Sequence, residues 1–113
     1  GSFRELQADV PATSPPEFQS GSAGLKTFLR TNYRYPDALK VTGISGSIVI
    51  EFLVDGLGRI SDLRIVGGLH PDLDNEALRV VRLTSGKWKP ALKYGKPVSQ
   101  RHTLTLEVTP AMR

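Results

Sequence analysis

Ser47-Ile48-Val49-Ile50-Glu51-Phe52-Leu53-Val54 decides the fold of this chain. Side chains alternate across a strand, so Ile48, Ile50, Phe52 and Val54 share one face, and Val49, Glu51 and Leu53 share the other. Asp55-Gly56-Leu57-Gly58 follows as a turn, with glycine supplying positive φ. Arg59 to Val66 is the returning strand of an antiparallel hairpin. Its parity breaks: Ile60 is even, whereas Leu63 and Ile65 are odd. Either one face is polar at Asp62 and Arg64, or a bulge near Ser61-Asp62 resets the alternation.

Downstream, Gly67-Gly68 ends the second strand and Pro71 to Leu83 reads as a helix. Asp72 can cap it, and Asp74 and Glu76 in its first turn suit the helix dipole. Leu73, Ala77, Val80, Val81 and Thr84 fall on one side. Lys87 to Val98 is a loop pinned by Pro90, Gly95 and Pro97 around the single tryptophan, Trp88. A third strand closes the chain near 98–108, with Leu104, Leu106 and Val108 on one face and Thr103, Thr105 and Glu107 on the other.

Upstream, Leu25, Phe28 and Leu29 recur at helical spacing, and Ser22 is a candidate N-cap for a helix over about 23–32. Tyr33-Arg34-Tyr35-Pro36 breaks it, because the residue before proline avoids helical geometry. Residues 3–24 carry Pro11, Pro15, Pro16 and small polar residues, as a linker or a docked arm would. Gly1-Ser2 reads as an expression scar. The expected organisation is a scar and Pro/Ser-rich arm over 1–22, then one domain over 23–110.

The fold expected is α+β: helix-strand-strand-helix-strand, both helices on one face of a three-stranded antiparallel sheet. The first strand is the most apolar on both faces and belongs in the centre. That sets the strand order second-first-third and leaves the third strand at an edge.

Composition narrows the function classes. At 113 residues and 39% hydrophobic content the chain supports one modest core. It has no apolar run near the ~18 residues that cross a bilayer. With no cysteine there are no disulfides, thiolate metal sites or cysteine nucleophiles, and the chain suits cytoplasm or periplasm equally. The net charge of +4 is spread along the chain, without the dense basic stripe and interleaved aromatics of a nucleic-acid binder. Its densest part, Lys87 to Lys96, is a candidate contact for acidic partners or anionic polymers.

No catalytic residue, cofactor site or metal site is expected. His70 and His102 are the only histidines and no H-E-x-x-H spacing exists. His70 reads as a turn residue, and His102, in phase with Leu104, as a partly buried one. Asp72, Asp74 and Glu76 lack the glycine and terminal glutamate of a Ca²⁺ loop. No serine sits in a G-x-S-x-G elbow. Trp88 reads as a core anchor holding the loop to the second helix.

Several segments together resemble the TonB C-terminal domain family, in the type found in Bacteroidetes. They are Tyr35-Pro36, Gly46 to Asp55, Gly58-Arg59-Ile60, His70 to Leu78, Trp88-Lys89-Pro90 and Gly95-Lys96-Pro97-Val98. Pro16-Glu17-Phe18 and Leu25 to Leu29 are similar to that type's lead-in. The likeness rests on their order and spacing over about 16–109. The pattern departs at Gln19-Ser20-Gly21 and at Gly56-Leu57-Gly58.

The resemblance implies a non-enzymatic periplasmic domain of an energy transducer. The full-length protein would be anchored in the inner membrane by an N-terminal helix and coupled to an ExbB/ExbD-type proton-driven motor. The domain would grip the TonB box of an outer-membrane transporter as a strand added beside its own last strand, serving siderophore or glycan uptake. The site residues implied are Ser99, Gln100, Arg101, His102, Thr103, Leu104, Thr105, Leu106 and Glu107. Secondary contacts are expected at Lys40, where the family has a glutamine, and at Lys93 and Lys96. A strand-exchanged homodimer is the competing use of such an edge. The alternatives are a cell-wall-associating or scaffold domain that contacts peptidoglycan, and a TonB-like domain fused to a sensor or peptidase.

Overall fold

The computed structural model describes residues 13–111, and the structural statements below concern those residues. The expected scar and the arm through residue 12 lie outside them. The elements run β1 (Thr13–Ser14), β2 (Glu17–Phe18), α1 (Gly21–Asn32), a 3-10 helix (Asp37–Thr42), β3 (Gly46–Val54), β4 (Ile60–Gly67), α2 (Pro71–Arg82), β5 (Trp88–Lys89), β6 (Ala91–Lys93), β7 (Lys96–Val98) and β8 (Gln100–Val108).

The main sheet has the order β4-β3-β8, antiparallel throughout, so the hairpin strands and the last strand take the places expected of them. β3 and β8 pair without a break from Gly46↔Val108 to Val54↔Gln100. The even face of β3 (Ile48, Ile50, Phe52, Val54) is fully buried, together with Leu73, Ala77, Val80 and Val81 of α2. Leu25 and Leu29 of α1 and Leu104, Leu106 and Val108 of β8 complete this core.

The parity break in β4 is a bulge. Glu51 pairs with Arg64 and Leu53 with Ser61, so Asp62 and Leu63 together oppose Phe52. Asp62 takes a left-handed φ of 52°, a conformation Asp tolerates better than most residues. The extra residue returns Ile60, Leu63 and Ile65 to one face, where all three pack against the core. A second irregularity, between Val49 and Ile50, leaves Val66 exposed.

Two capping expectations are corrected. The N-cap of α2 is His70, whose Nδ1 accepts the Asp72 N–H at 3.1 Å. Asp72 is therefore already inside the first turn. Asp74 turns back to accept the Leu69 N–H at 3.0 Å. Ser22 lies inside α1, which opens at Gly21 after Ser20 with no side-chain cap.

The loop after α2 is more regular than its prolines suggest. β6 and β7 form a hairpin whose turn residues Tyr94 and Gly95 both have positive φ, 51° and 81°. That is the primed geometry which follows strand twist. The segment before α1 docks on the same region, β1 against β6 and β2 against β5. Phe18 is thereby buried beside Trp88.

Candidate functional site

Within the described residues β8 pairs only with β3, so its other edge is open. Alternate N–H and C=O groups there have no strand partner, which is the condition for strand addition. Gln100 to Glu107 all lie in β8, and Ser99 sits one residue before it. Leu104 and Leu106 point into the core; Thr103, Thr105 and Glu107 are exposed on the other face. His102 is half-buried, in ring contact with Phe52 at 5.8 Å and Trp88 at 5.4 Å.

α1 faces the C-terminal end of this edge, at Thr105 to Glu107. Between them lies a groove of ≈ 820 Å³, with Leu29 and Leu106 among its apolar lining and Lys26, Arg30, Thr105 and Glu107 around it. The position of α1 is set at its C-terminal end. The Tyr33 hydroxyl donates to the Leu73 carbonyl at 2.9 Å, and Arg79 donates to the Asn32 carbonyl at 2.7 Å. The Arg34 N–H donates to Glu76 at 2.7 Å. Burial, then the Glu76 carboxylate, pushes the Tyr33 hydroxyl well above its usual pKa, so it stays a donor.

The edge strand is tied to its neighbours on the exposed face of the sheet. Glu51 Oε1 accepts from Arg64 Nε at 2.8 Å and from Arg101 Nε at 3.2 Å. Arg101 also donates to the Asp62 carboxylate at 2.8 Å and to the Asp62 carbonyl at 3.2 Å. One side chain of β8 thus reaches across β3 to the bulge of β4. Arg101 is a brace of the sheet as well as a residue of the edge strand.

The secondary contacts are placed elsewhere. Lys40 lies in the 3-10 helix and pairs with Asp37 at 3.2 Å. Lys93 and Lys96 face each other across the β6–β7 hairpin. None of the three lines the groove. Lys26 and Arg30 do, and sequence reasoning missed them. Their only signal was an i, i+4 pair of cations on a helix whose apolar side is Leu25 and Leu29.

Trp88 is 3% exposed and belongs to the core. Its Nε1–H donates to Thr84 Oγ1 at 2.8 Å, and the Thr84 hydroxyl donates in turn to the Val81 carbonyl. Its ring meets Phe18 at 5.6 Å and Phe52 at 5.4 Å. Trp88→Phe keeps most of this ring packing and removes the N–H. It is expected to lower stability by about 1–2 kcal/mol and to leave peptide affinity unchanged. Denaturant melts and a peptide titration of the variant check both halves. A normal melt with lost binding would move Trp88 into the site.

Titration works against the fold in acid. Hydrogen bonds from Arg64, with its charge and that of Arg101, hold the Glu51 carboxyl below its usual range. The Arg59 and Leu57 N–H groups do the same for Asp55. Burial raises Glu76, but Arg79 and the Arg34 N–H outweigh it and the net shift is downward. Burial lowers the His102 imidazole. Each folded-state pKa lies below its unfolded value, so the unfolded chain takes up protons first and stability falls as pH falls. The His102 contribution is expected to fade below pH about 6.5, and the carboxylate contributions below about 4. Melting temperatures from pH 8 to 3 check this; a flat profile would contradict it. The exposed carboxylates make the second loss shallow.

Among the described residues no group of three or more His, Asp or Glu side chains is placed to hold a metal ion. No helix there is long and apolar enough to cross a membrane.

Comparison with known proteins agrees with this architecture. The family model described as "Gram-negative bacterial TonB protein C-terminal" matches residues 31–107. The chain belongs to the TonB C-terminal domain family. No curated protein matches it at a significant level. Two solution structures of the Helicobacter pylori TonB C-terminal domain are similar. One, at 17% identity, has a TM-score of 0.63 over 80% of this chain and 95% of that one. The other, a longer stretch at 18% identity, has a TM-score of 0.59 over 75% and 76%. A Pseudomonas aeruginosa TonB C-terminal domain is 24% identical over 71% of this chain and 80% of its own, with a TM-score of 0.48. The TonB C-terminal family is one of periplasmic, non-catalytic transducer domains. This TonB C-terminal domain has its sheet in the order expected, and among the described residues its last strand keeps one edge open.

Proposed function

We propose that this domain captures the TonB box of an outer-membrane transporter as an added strand on the open edge of β8, and passes a pull to the transporter through that strand. The supporting observation is the unpartnered edge of β8, backed by the groove against α1. Backbone hydrogen bonds along Ser99 to Glu107 supply affinity, and a force along the strand loads them together. The unit doing this is residues 23–110, with 1–22 as a lead-in arm whose strands β1 and β2 pair with β6 and β5 and whose last two residues open α1. In the full-length protein an N-terminal helix anchors it in the inner membrane beside an ExbB/ExbD-type motor. The captured transporter serves siderophore or glycan uptake.

Titration of isotope-labelled domain with a TonB-box peptide tests the reading. Shifts are expected along residues 99–107 and on α1. Two copies pairing edge to edge would give the same shifts without peptide, in proportion to protein concentration.

One observation favours a second contact. Lys93 and Lys96 are cross-strand neighbours, an unfavourable like-charge pair, beside a Tyr94 that is 75% exposed. We propose an anionic cell-wall polymer such as peptidoglycan as its partner. Shifts confined to residues 87–96, with 99–107 unmoved, would favour that reading over strand addition.

A further inference from the structure

The residues ahead of α1 form one interrupted ladder with the segment after α2. Thr13 and Ser14 pair with Lys93 and Leu92, and Glu17 and Phe18 with Lys89 and Trp88, all antiparallel. The two pairings keep a single register, and the Gln19 N–H extends it by donating to the Lys87 carbonyl at 2.9 Å. In that register Pro16 falls opposite Pro90 and Pro15 opposite Ala91. Three residues without an N–H meet at the gap, so the ladder is split in two by its own sequence. We infer that residues 13–19 are a detachable clasp, which opens from 87–93 as a unit while the main sheet and both α-helices stay folded.

The clasp has one latch. Phe18 is 6% exposed, edge-on to Trp88 at 5.6 Å and tilted against Phe28 at 5.8 Å. Pro16 is buried as well, and Glu17 between them is exposed. The rest of the hold is backbone pairing, with the Gln19 amide donating to the Gly86 carbonyl at 3.4 Å. A segment with few buried apolar groups opens at a lower free energy than the whole domain. The segment it leaves is held independently. The Gly86 N–H donates to the Gly58 carbonyl and the Lys87 N–H to the Thr84 carbonyl, both at 2.9 Å, and β6 keeps its pairing with β7. The hinge is Gly21, at a φ of 79°, where α1 begins with no side-chain cap to break.

Opening is felt on the main sheet. The Phe18 ring touches Trp88, and Trp88 touches His102 of β8 at 5.4 Å. Releasing Phe18 removes one wall from Trp88, so the docked clasp steadies the start of β8 through two ring contacts. Resting on the pull proposed above, the clasp is the first part to carry load. Tension arriving along the chain ahead of residue 13 crosses it before reaching α1.

Trp88 is the sole tryptophan, so its emission follows the loss of Phe18 directly. In low denaturant the emission is expected to move to the red while far-UV dichroism stays unchanged. Amides of 17–19 and 87–89 should then exchange at least about tenfold faster than those of β3. Phe18→Ala should leave the clasp open without denaturant, giving red-shifted emission and moved His102 resonances with β3 amides still protected. Coincident emission and dichroism transitions in the parent, with equal protection at 87–89 and in β3, would overturn the clasp, and reading them needs no variant. None of these readouts uses a peptide or a load. A silent TonB-box titration would therefore sink the pull alone, and coincident transitions the clasp alone.

Discussion

Phe52→Ala is expected to lower the stability of the domain by about 3–5 kcal/mol, the range for truncating a buried aromatic. Phe52 is fully buried in the central strand. It touches Trp88 at 5.4 Å on one side and pairs with His102 of β8 on the other. It also sits opposite the β4 bulge, where two residues face one. No neighbour can collapse into the space easily, because β3 is held on both sides. For a domain of this size such a loss is a large share of the total. Denaturant unfolding with matched slopes measures it. A midpoint close to the parent's would mean the ring is not packed as the aromatic cluster requires. The same variant bears on function: the cavity opens beneath residues 101–103, so the edge strand is expected to lose order together with the core.

Much of this fold was legible because its periods are strict. The even face of β3, the Leu73, Ala77, Val80, Val81 face of α2 and Thr84 just beyond it are buried as their spacing requires. The edge position of β8 followed from β3 being apolar on both faces. The bulge was readable only as a fault in parity; its resolution needed Arg101, a residue 39 positions away, to grip the Asp62 carbonyl. The hairpin of β6 and β7 was hidden because Tyr94 in a left-handed turn carries no glycine-like signal, and Pro97 argued against a strand. It can sit there since β7 pairs only with β6 and is an edge. At the site, the backbone edge was legible and its wall was not. Nothing local to Lys26 or Arg30 says that α1 faces the C-terminal end of β8. That placement is made by Tyr33, Arg34 and Arg79 reaching to and from α2, contacts spanning 40 residues or more.

A single proline on β8 is expected to abolish peptide capture while leaving the fold standing. In an edge strand, successive N–H groups alternate between the neighbouring strand and the free edge. Of Thr103 and Leu104, one donates toward β3 and the other outward. Proline at the inward position removes a ladder bond in the longest unbroken pairing of the sheet and strains β3 with it. Proline at the outward position removes only a donor on the free edge, the one an added strand would use. It also fills the edge with a ring where the backbone of an added strand would approach. The two variants should therefore separate: one melts early, the other melts nearly as the parent does and no longer shifts with peptide. Thr103 is exposed, so its side chain carries little stability, whereas Leu104 adds core burial to whatever its backbone does. Arg101→Glu completes the set from the side-chain direction. It places a third carboxylate beside Glu51 and Asp62 and loosens the brace across β3. Its effect on affinity should follow its effect on the sheet and be smaller than that of the outward proline. If the proline variant that keeps its melt still binds peptide undiminished, capture does not run through the backbone of β8. The unpartnered edge would then be a consequence of the short sheet and no part of the site.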